Sequence, residues 1–277
     1  MDQTTTEELT YLKAQYYGKT TMVDKWFGKF MEKVDALGLA DDTMVIFTTD
    51  HGHDLGGRGI FGNQYPYYDS HANIPMTIRY PKEPGKGKRV SDFTQTVYVF
   101  STAIDAASGV PPATTRHSKS VMQIVRGSTG ERGEVLYGTF GQGVCLTDGE
   151  WTLFKSPNEG KPPYSYSTMI SRPLLVDNPI DGRVGALPAE PVGHENYDPT
   201  VPYPMWKLPI QIDPHTRTDF LFNRTNDPGQ TNNLWDVEPE QRQRMLALLV
   251  LKLEEEGCPL EQFHRLGLDR PTSIAAE

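Results

Sequence analysis

The chain has 277 residues, with 27 Lys and Arg against 36 Asp and Glu, a formal net charge of -9 and 37% hydrophobic residues. That length suits one large α/β domain, or a larger and a smaller domain, with a sizeable core. The charge signs are interspersed and no basic face is available for phosphates, so nucleic acid is excluded as a partner. The two cysteines, Cys145 and Cys258, form neither a CxxC pair nor a zinc pattern, which predicts two buried thiols and no disulfide framework. The opening Met1 to Glu8 is polar and acidic, unlike a signal peptide, and no apolar run approaches a membrane span. As it stands, the sequence predicts a soluble, unexported, cytoplasmic chain with no membrane partner.

Thr5 followed by Glu8 fits a capping box, and Val23, Trp26, Phe27, Phe30, Met31, Val34 and Leu37 recur at helical spacing. A long amphipathic helix should end at Gly38 as a left-handed cap. After the turn at Asp41-Asp42, the run Met44 to Thr48 is almost wholly apolar and β-branched, which predicts a strand covered on both faces inside a parallel sheet. Residues His53 to Tyr68 are rich in Gly and aromatics and read as an ordered loop leaving that strand. A second strand fits Pro75 to Tyr80, closed by Pro81, and a helix fits Thr96 to Ala107, stopped by Gly109 and Pro111-Pro112.

Beyond about residue 125 strands come at close intervals: Glu134 to Phe140, Val144 to Thr147 and Trp151 to Phe154. Asp148-Gly149 predicts a type I′ connection between the last two, so an antiparallel subdomain replaces the crossover pattern. The proline-rich stretch from Pro157 to Pro214 reads as a long excursion over the body, in the manner of a lid. Thr218 to Phe222 should return to the small sheet, and a last helix should run from Pro239 to Glu256 with Met245, Leu246, Leu249 and Leu253 inward.

The run Thr43 to Gly52 carries the chemistry, because the predicted strand delivers Asp50 and His51 to its carboxyl end. That is where open α/β sheets place their ligands. Asp supplies a hard anionic oxygen and His a neutral nitrogen, a pair suited to Mn²⁺, Zn²⁺ or a mixed site better than to an all-oxygen Ca²⁺ cage. Two ligands do not make a site, and at least two more must come from elsewhere.

The ordered series Leu39 to Gly52, then Leu55-Gly56, Phe61-Gly62 and Ile74 to Pro81, resembles the C-terminal half of a sulfatase, within the alkaline phosphatase superfamily. Tyr16, Tyr17, Gly18, Val23 and Asp24 in the preceding helix extend the resemblance. So do Asn226 to Gly229, Asn232 to Leu234 and Gln262 to Leu268 in the tail. It implies a partial alkaline-phosphatase-like α/β sandwich, a mostly parallel sheet flanked by helices, with a small C-terminal antiparallel sheet and a terminal helix. Residues 1–125 would be the C-terminal half of the catalytic core. Residues 126–277 would be a small α+β subdomain with the proline-rich excursion at about 157–214.

The resemblance also implies a reaction: hydrolysis of sulfate monoesters by a formylglycine hydrate, assisted by one divalent ion, Ca²⁺ or Mn²⁺, with Asp50 and His51 as metal ligands. The family makes its nucleophile from a Cys/Ser-x-Pro/Ala-x-Arg motif, which neither Cys145, Cys258 nor any serine here provides. The nucleophile is therefore absent from these 277 residues, and the chain is expected to be inactive alone. His71 is the candidate general acid or substrate cation, with a packed histidine at the mouth of a strand as the equal alternative. Asn63, where the family often has a substrate-binding lysine, and Arg58 are the candidate substrate contacts, though a solvated loop arginine is the plainer reading. His53 and Asp54 are expected at the surface or behind the ligands, and Tyr65, Tyr67 and Tyr68 in loop packing or an aryl or sugar subsite. The partners implied are a small-molecule sulfate ester and a separate N-terminal half or a second copy. A fragment of a phosphate or phosphonate monoester hydrolase, and a non-catalytic metal- or partner-binding remnant, stay open beside this reading.

Overall fold

The computed structural model describes residues 5–59, 61–62, 68–81, 87–112, 117–125, 133–138, 143–158, 164–167, 190–192, 205–209 and 218–270. The chain forms two compact units, Met1–Glu134 and Val135–Glu277.

The first unit opens with α1 (Thr6–Ala36), whose start is fixed by the capping box. The Glu8 N–H donates to Thr5 Oγ1 at 3.2 Å, and the Thr5 N–H donates to Glu8 Oε2 at 2.8 Å, so two orphan amides of the first turn are satisfied. The helix stops as the spacing predicts, with Gly38 at φ 68 and the Leu39 N–H returning to the Val34 carbonyl. Strand β1 (Val45–Thr48) follows, and Phe27 of α1 packs on Phe47 at 4.7 Å between ring centroids. Two residues at the β2 (Asp54–Leu55) and β3 (Phe61–Gly62) positions pair within the next loop, and a single turn of helix, α2 (Asp69–Ala72), leads into β4 (Met76–Arg79).

Here the structure departs from the expectation of an interior parallel strand. Strand β1 pairs antiparallel with β4, in the register Val45 to Arg79 through Thr48 to Met76, and all four β1 residues are half-buried. Every described strand pairing in the chain is antiparallel. A strand apolar on both faces needs two covering layers, and in these residues α1 covers β1 only in part. Arg79 and Asp35 join the β4 end to the last turn of α1 at 2.5 Å. The unit closes with α3 (Tyr98–Ser108), ended by Gly109 at φ 76, and the single turn α4 (Met122–Val125). These two meet through Thr102, whose Oγ1 accepts from the Val121 N–H, and through Ser120, which donates to Asp105.

The second unit is built on a four-stranded antiparallel sheet of β5 (Val135–Gly138), β6 (Val144–Thr147), β7 (Trp151–Lys155) and β11 (Phe220–Asn223), in the order β11-β7-β6-β5. Helix α5 (Pro239–Glu255) lays Met245, Leu249 and Leu253 onto Leu146, Leu153 and Leu221, and α6 (Leu260–Leu266) adds Phe263 and Leu266. The Asp148-Gly149 connection is not the expected type I′ turn. β6 ends at Thr147 and β7 begins at Trp151, so three residues connect them, and of these only Gly149 has positive φ. Asp148 keeps negative φ because its carboxylate accepts the amides of Glu150 and Trp151, an Asx arrangement that competes with the tighter turn.

Within the stretch read as a long excursion over the body, β8 (Tyr164–Ser167), β9 (Glu190–Val192) and β10 (Met205–Pro209) make a separate antiparallel sheet in the order β8-β10-β9. Pro191 lies on the edge strand β9, and Pro209 ends the central β10 beyond its pairing with β9, positions where a proline loses no ladder hydrogen bond on its open side. Most other residues of 157–214 lie outside the described ones. Of the two cysteines, Cys145 is fully buried as expected while Cys258 is only half-buried. No described helix is long and apolar enough to cross a membrane.

Candidate metal half-site at the end of the first strand

The residues after β1 turn out of the strand at Thr49 and present Asp50 and His51 to solvent, with side chains 85% and 43% exposed. Asp50 Oδ1 is held locally, accepting the His51 N–H at 2.9 Å and the Thr49 hydroxyl at 3.2 Å. The amide of His51 above all, then the backbone amide of Asp50 itself, the nearby His51 charge and Thr49, keeps the Asp50 carboxyl below its ordinary pKa, so it is ionised near neutrality. His51 Nδ1 lies 2.9 Å from the Gly52 carbonyl, which can only accept. Nδ1 therefore carries the proton, and in the neutral ring Nε2 is the basic nitrogen. Nε2 lies 3.8 Å from Asp50 Oδ2.

An ionised oxygen and an imidazole nitrogen thus converge at an exposed strand end, which is the donor chemistry of a mixed oxygen and nitrogen metal site. Two donors are half of what a structural or catalytic ion takes. Among the described residues, no cluster of three or more His, Cys, Asp or Glu could hold an ion.

Behind this pair the loop is fastened by a buried polar cluster that the sequence reading missed. Asp54, expected at the surface or behind the ligands, is 3% exposed. Its Oδ1 accepts from the Arg58 guanidinium and from the Ser70 hydroxyl, the latter at 3.0 Å, and Arg58 also donates to Ser70 Oγ at 2.5 Å. The guanidinium lies 3.9 Å over the Tyr68 ring. His71 is 2% exposed; its Nε2 lies 3.1 Å from the Gly62 carbonyl and 3.3 Å from Asp54 Oδ2, so this nitrogen carries its proton. Burial lowers the His71 pKa, against the pull of the Asp54 charge and the Gly62 carbonyl, and the ring is neutral at pH 7.

Two backbone bonds complete the fastening: the Gly52 N–H donates to the His71 carbonyl at 2.8 Å and the His53 N–H to the Ser70 carbonyl at 3.0 Å. Position 52 must be glycine for this approach, since a Cβ there would lie 1.9 Å from the Ser70 carbonyl oxygen. His53 stacks against Tyr16 of α1 at 5.4 Å and meets Phe61 edge-on.

The sequence-derived candidates therefore separate. Asp50 and His51 stand together in solvent. Arg58 and His71, offered as substrate contact and general acid, are engaged inside the loop: Arg58 pairs with the desolvated Asp54 carboxylate, and His71 Nε2 donates to the Gly62 carbonyl beside it. Asn63, Tyr65 and Tyr67 lie outside the described residues, and Tyr68 packs under Arg58. One signal pointed to Asp54 beforehand: between residues 52 and 68 it is the only acid and Arg58 the only permanent cation. Cys145 is unsuited to nucleophilic chemistry, since burial pushes its thiol pKa well up.

The tail motif of the resemblance has a structural account as well. Asp227 Oδ2 accepts the amides of Thr231 and Asn232, both at 2.8 Å, while Asn233 accepts from the Leu221 N–H and donates to the Asp219 carbonyl. These side chains fold the turn back along β11 ahead of α5.

Known proteins place this arrangement in a class. Residues 2–110 match the Sulfatase family model. An arylsulfatase of Clostridium perfringens is 33% identical over 98 residues, which is 34% of this chain and 20% of the arylsulfatase. Among solved structures, the phosphonate monoester hydrolase of Agrobacterium radiobacter superposes with a TM-score of 0.60 at 19% identity, covering 90% of this chain and 42% of that one. A second structure, solved in complex with its substrate D-glucosamine-2-N,6-O-disulfate, superposes with a TM-score of 0.59 at 16% identity, covering 86% of this chain and 39% of that one. The fold is that of these solved structures, and residues 2–110 are similar to the sulfatase family. The chain aligns with about a fifth of the length of the curated relative and about two fifths of each solved structure.

Proposed function

We propose that residues 1–125 are the metal-bearing C-terminal half of a sulfatase-type catalytic core, a partial α/β sandwich, and that residues 126–277 are its C-terminal subdomain. In this reading the chain is part of a metal-dependent hydrolase of sulfate monoesters. The observation that carries it is the convergence of Asp50 Oδ2 and His51 Nε2 at 3.8 Å on the exposed end of β1, within the segment that matches the family.

Asp50 and His51 would hold one divalent ion, with the remaining ligands and the nucleophile supplied from outside these 277 residues. When bound, such an ion offsets charge on the transferring sulfuryl group and polarises the ester oxygens. The chain's own residues do the rest of the work described above. The Gly52 carbonyl fixes the His51 tautomer so that Nε2 is available, and the His51 amide keeps the Asp50 carboxyl ionised. The Asp54, Arg58, Ser70 and His71 cluster holds the loop in place, so Arg58 and His71 act as positioning residues in this reading.

Hydrolysis of phosphate or phosphonate monoesters is the second reading. It is favoured by histidine at position 51, a residue the resemblance shares with that branch, and by the fold likeness to the Agrobacterium enzyme.

The test is metal content and affinity of the purified chain, with Mn²⁺, Ca²⁺ and Zn²⁺ supplied in turn and followed by titration calorimetry and elemental analysis. Asp50→Ala should abolish any weak stoichiometric binding that the parent has, and equal metal content in the two proteins removes Asp50 from the site. With the missing half restored, preference for an aryl sulfate over an aryl phosphonate selects the first reading, and the reverse selects the second. No hydrolysis of either leaves the non-catalytic remnant.

A further inference from the structure

Asp50 takes its orientation with little help from packing. Its side chain is 85% exposed, so hydrogen bonds rather than contact with neighbouring atoms set its rotamer. Two donors from adjacent residues end on the same oxygen: the His51 N–H donates to Oδ1 at 2.9 Å, and the Thr49 hydroxyl lies 3.2 Å from that atom. Thr49 Oγ1 also lies 3.4 Å from the His51 carbonyl, but a hydroxyl has a single proton to give, and the ionised carboxylate is the nearer and the stronger acceptor. Neither donor reaches Oδ2, which turns to His51 Nε2 at 3.8 Å. The main chain beneath is fixed independently, by the amides of Gly52 and His53 on the carbonyls of His71 and Ser70. What is left to be held is the carboxylate itself.

We propose that Thr49 is a positioning residue for the metal site: its hydroxyl, together with the His51 amide, commits Asp50 Oδ1 and leaves Oδ2 as the single carboxylate oxygen offered to an ion beside His51 Nε2. The inference rests on the metal reading of Asp50 and His51, and adds to it a further residue and the denticity of Asp50. Thr49 suits the task because it is half-buried and β-branched, so its χ1 is restricted and its hydroxyl keeps its direction. A ligand oriented before the ion arrives binds more tightly, since the freedom that binding would remove is already gone.

One consequence separates this arrangement from a carboxylate that is free to swivel. Both groups at Oδ1 are donors, so an asparagine at position 50 would place its carbonyl oxygen there and turn its NH₂, which has no lone pair to give, towards the ion. A side-chain carbonyl is otherwise an ordinary ligand of divalent cations. Asp50→Asn should therefore bind an ion no better than Asp50→Ala, whereas a swivelling side chain would let the asparagine oxygen ligate.

The experiment is a Mn²⁺ titration of the isotope-labelled 277-residue chain, followed by paramagnetic broadening of the amide signals of residues 49–53, which reads a weak site without any turnover. Thr49→Val, which keeps the shape and removes the hydroxyl, should raise the apparent dissociation constant about 10-fold, and Thr49→Ser should return it to within about twofold of the parent. Asp50→Asn should match Asp50→Ala, and the circular dichroism of all four variants should be that of the parent. In the metal-free chain, side-chain couplings of Asp50 should report one dominant rotamer in the parent and in Thr49→Ser, and averaged rotamers in Thr49→Val. A Thr49→Val chain that binds Mn²⁺ as the parent does, or an Asp50→Asn chain that binds it better than Asp50→Ala, overturns the proposal. Broadening that does not centre on residues 49–53 in the parent overturns the metal reading instead. The metal-free couplings then still decide on Thr49, because equal rotamer populations in the parent and Thr49→Val remove its positioning role.

Discussion

Replacing Asp54 by Asn tests whether the loop behind Asp50 and His51 is held by charge. The substitution conserves volume and leaves the fold of the loop sterically possible, but it removes the carboxylate that Arg58 and Ser70 donate to and that His71 faces. Removing one partner of a buried pair costs about 3–5 kcal/mol, because the other charge is left desolvated. Here Arg58 retains 14% exposure, Ser70 Oγ and the Tyr68 ring, and His71 is neutral, so the expected cost is smaller, about 2–3 kcal/mol. For a unit of this size that corresponds to a drop in Tm of roughly 6–15 °C.

Scanning calorimetry of parent and variant at pH 7.5, in low and in high salt, measures it. The loss should persist in high salt, since a buried pair is weakly screened. A variant that melts within 1 °C of the parent, or whose deficit vanishes in high salt, refutes the idea that Asp54 organises this loop through a desolvated pair.

Gly52→Ala should be worse tolerated than its size suggests: the new Cβ meets the Ser70 carbonyl, so the bonds from the 52 and 53 amides must break, with a loss of about 2–4 kcal/mol by thermal melting and weaker divalent-ion binding by calorimetry. The buried His71 predicts a pH effect of known sign. Its pKa is lower folded than the usual 6.5, so below pH 6.5 the unfolded chain binds the extra proton and stability falls as pH drops towards the folded value, by at most about 1.4 kcal/mol per pH unit. Above pH 6.5 this term is constant; denaturant titrations from pH 8 to 5 should show the fall in the parent and a smaller one in His71→Gln. Thiol labelling of the native chain should modify Cys258 and leave Cys145 unreacted until denaturant is added, and two equally fast thiols would contradict the burial of Cys145.

Local signals in the sequence were sufficient for elements whose causes are local. The capping box of Thr5 and Glu8, the glycine stops at Gly38 and Gly109, and the inward stripe of Met245, Leu249 and Leu253 depend on residues a few positions apart. So does the presence of an Asp-His pair at a strand end, and with it the family resemblance, since the motif is contiguous. The pairing partner of β1 was not legible: an apolar run specifies that a strand wants cover on both faces but not which strand comes beside it, and β4 arrives from 28 residues beyond Thr48, counting to Met76, in the opposite direction.

The Asp148 turn was misread because a side chain outcompeted the dipeptide preference, and the sheet of β8, β9 and β10 because its strands are short, separated and broken by prolines. For the site, the sequence determined which donor atoms stand together at the strand end: an ionised oxygen and an imidazole nitrogen on successive residues. Only the tertiary structure decided what Arg58 and His71 do. Burying Asp54 makes its charge costly unless paired, and the loop closes with Arg58 and Ser70 donating to that carboxylate and the neutral His71 ring packed 3.3 Å from it, a consequence of desolvation that no spacing in the chain encodes.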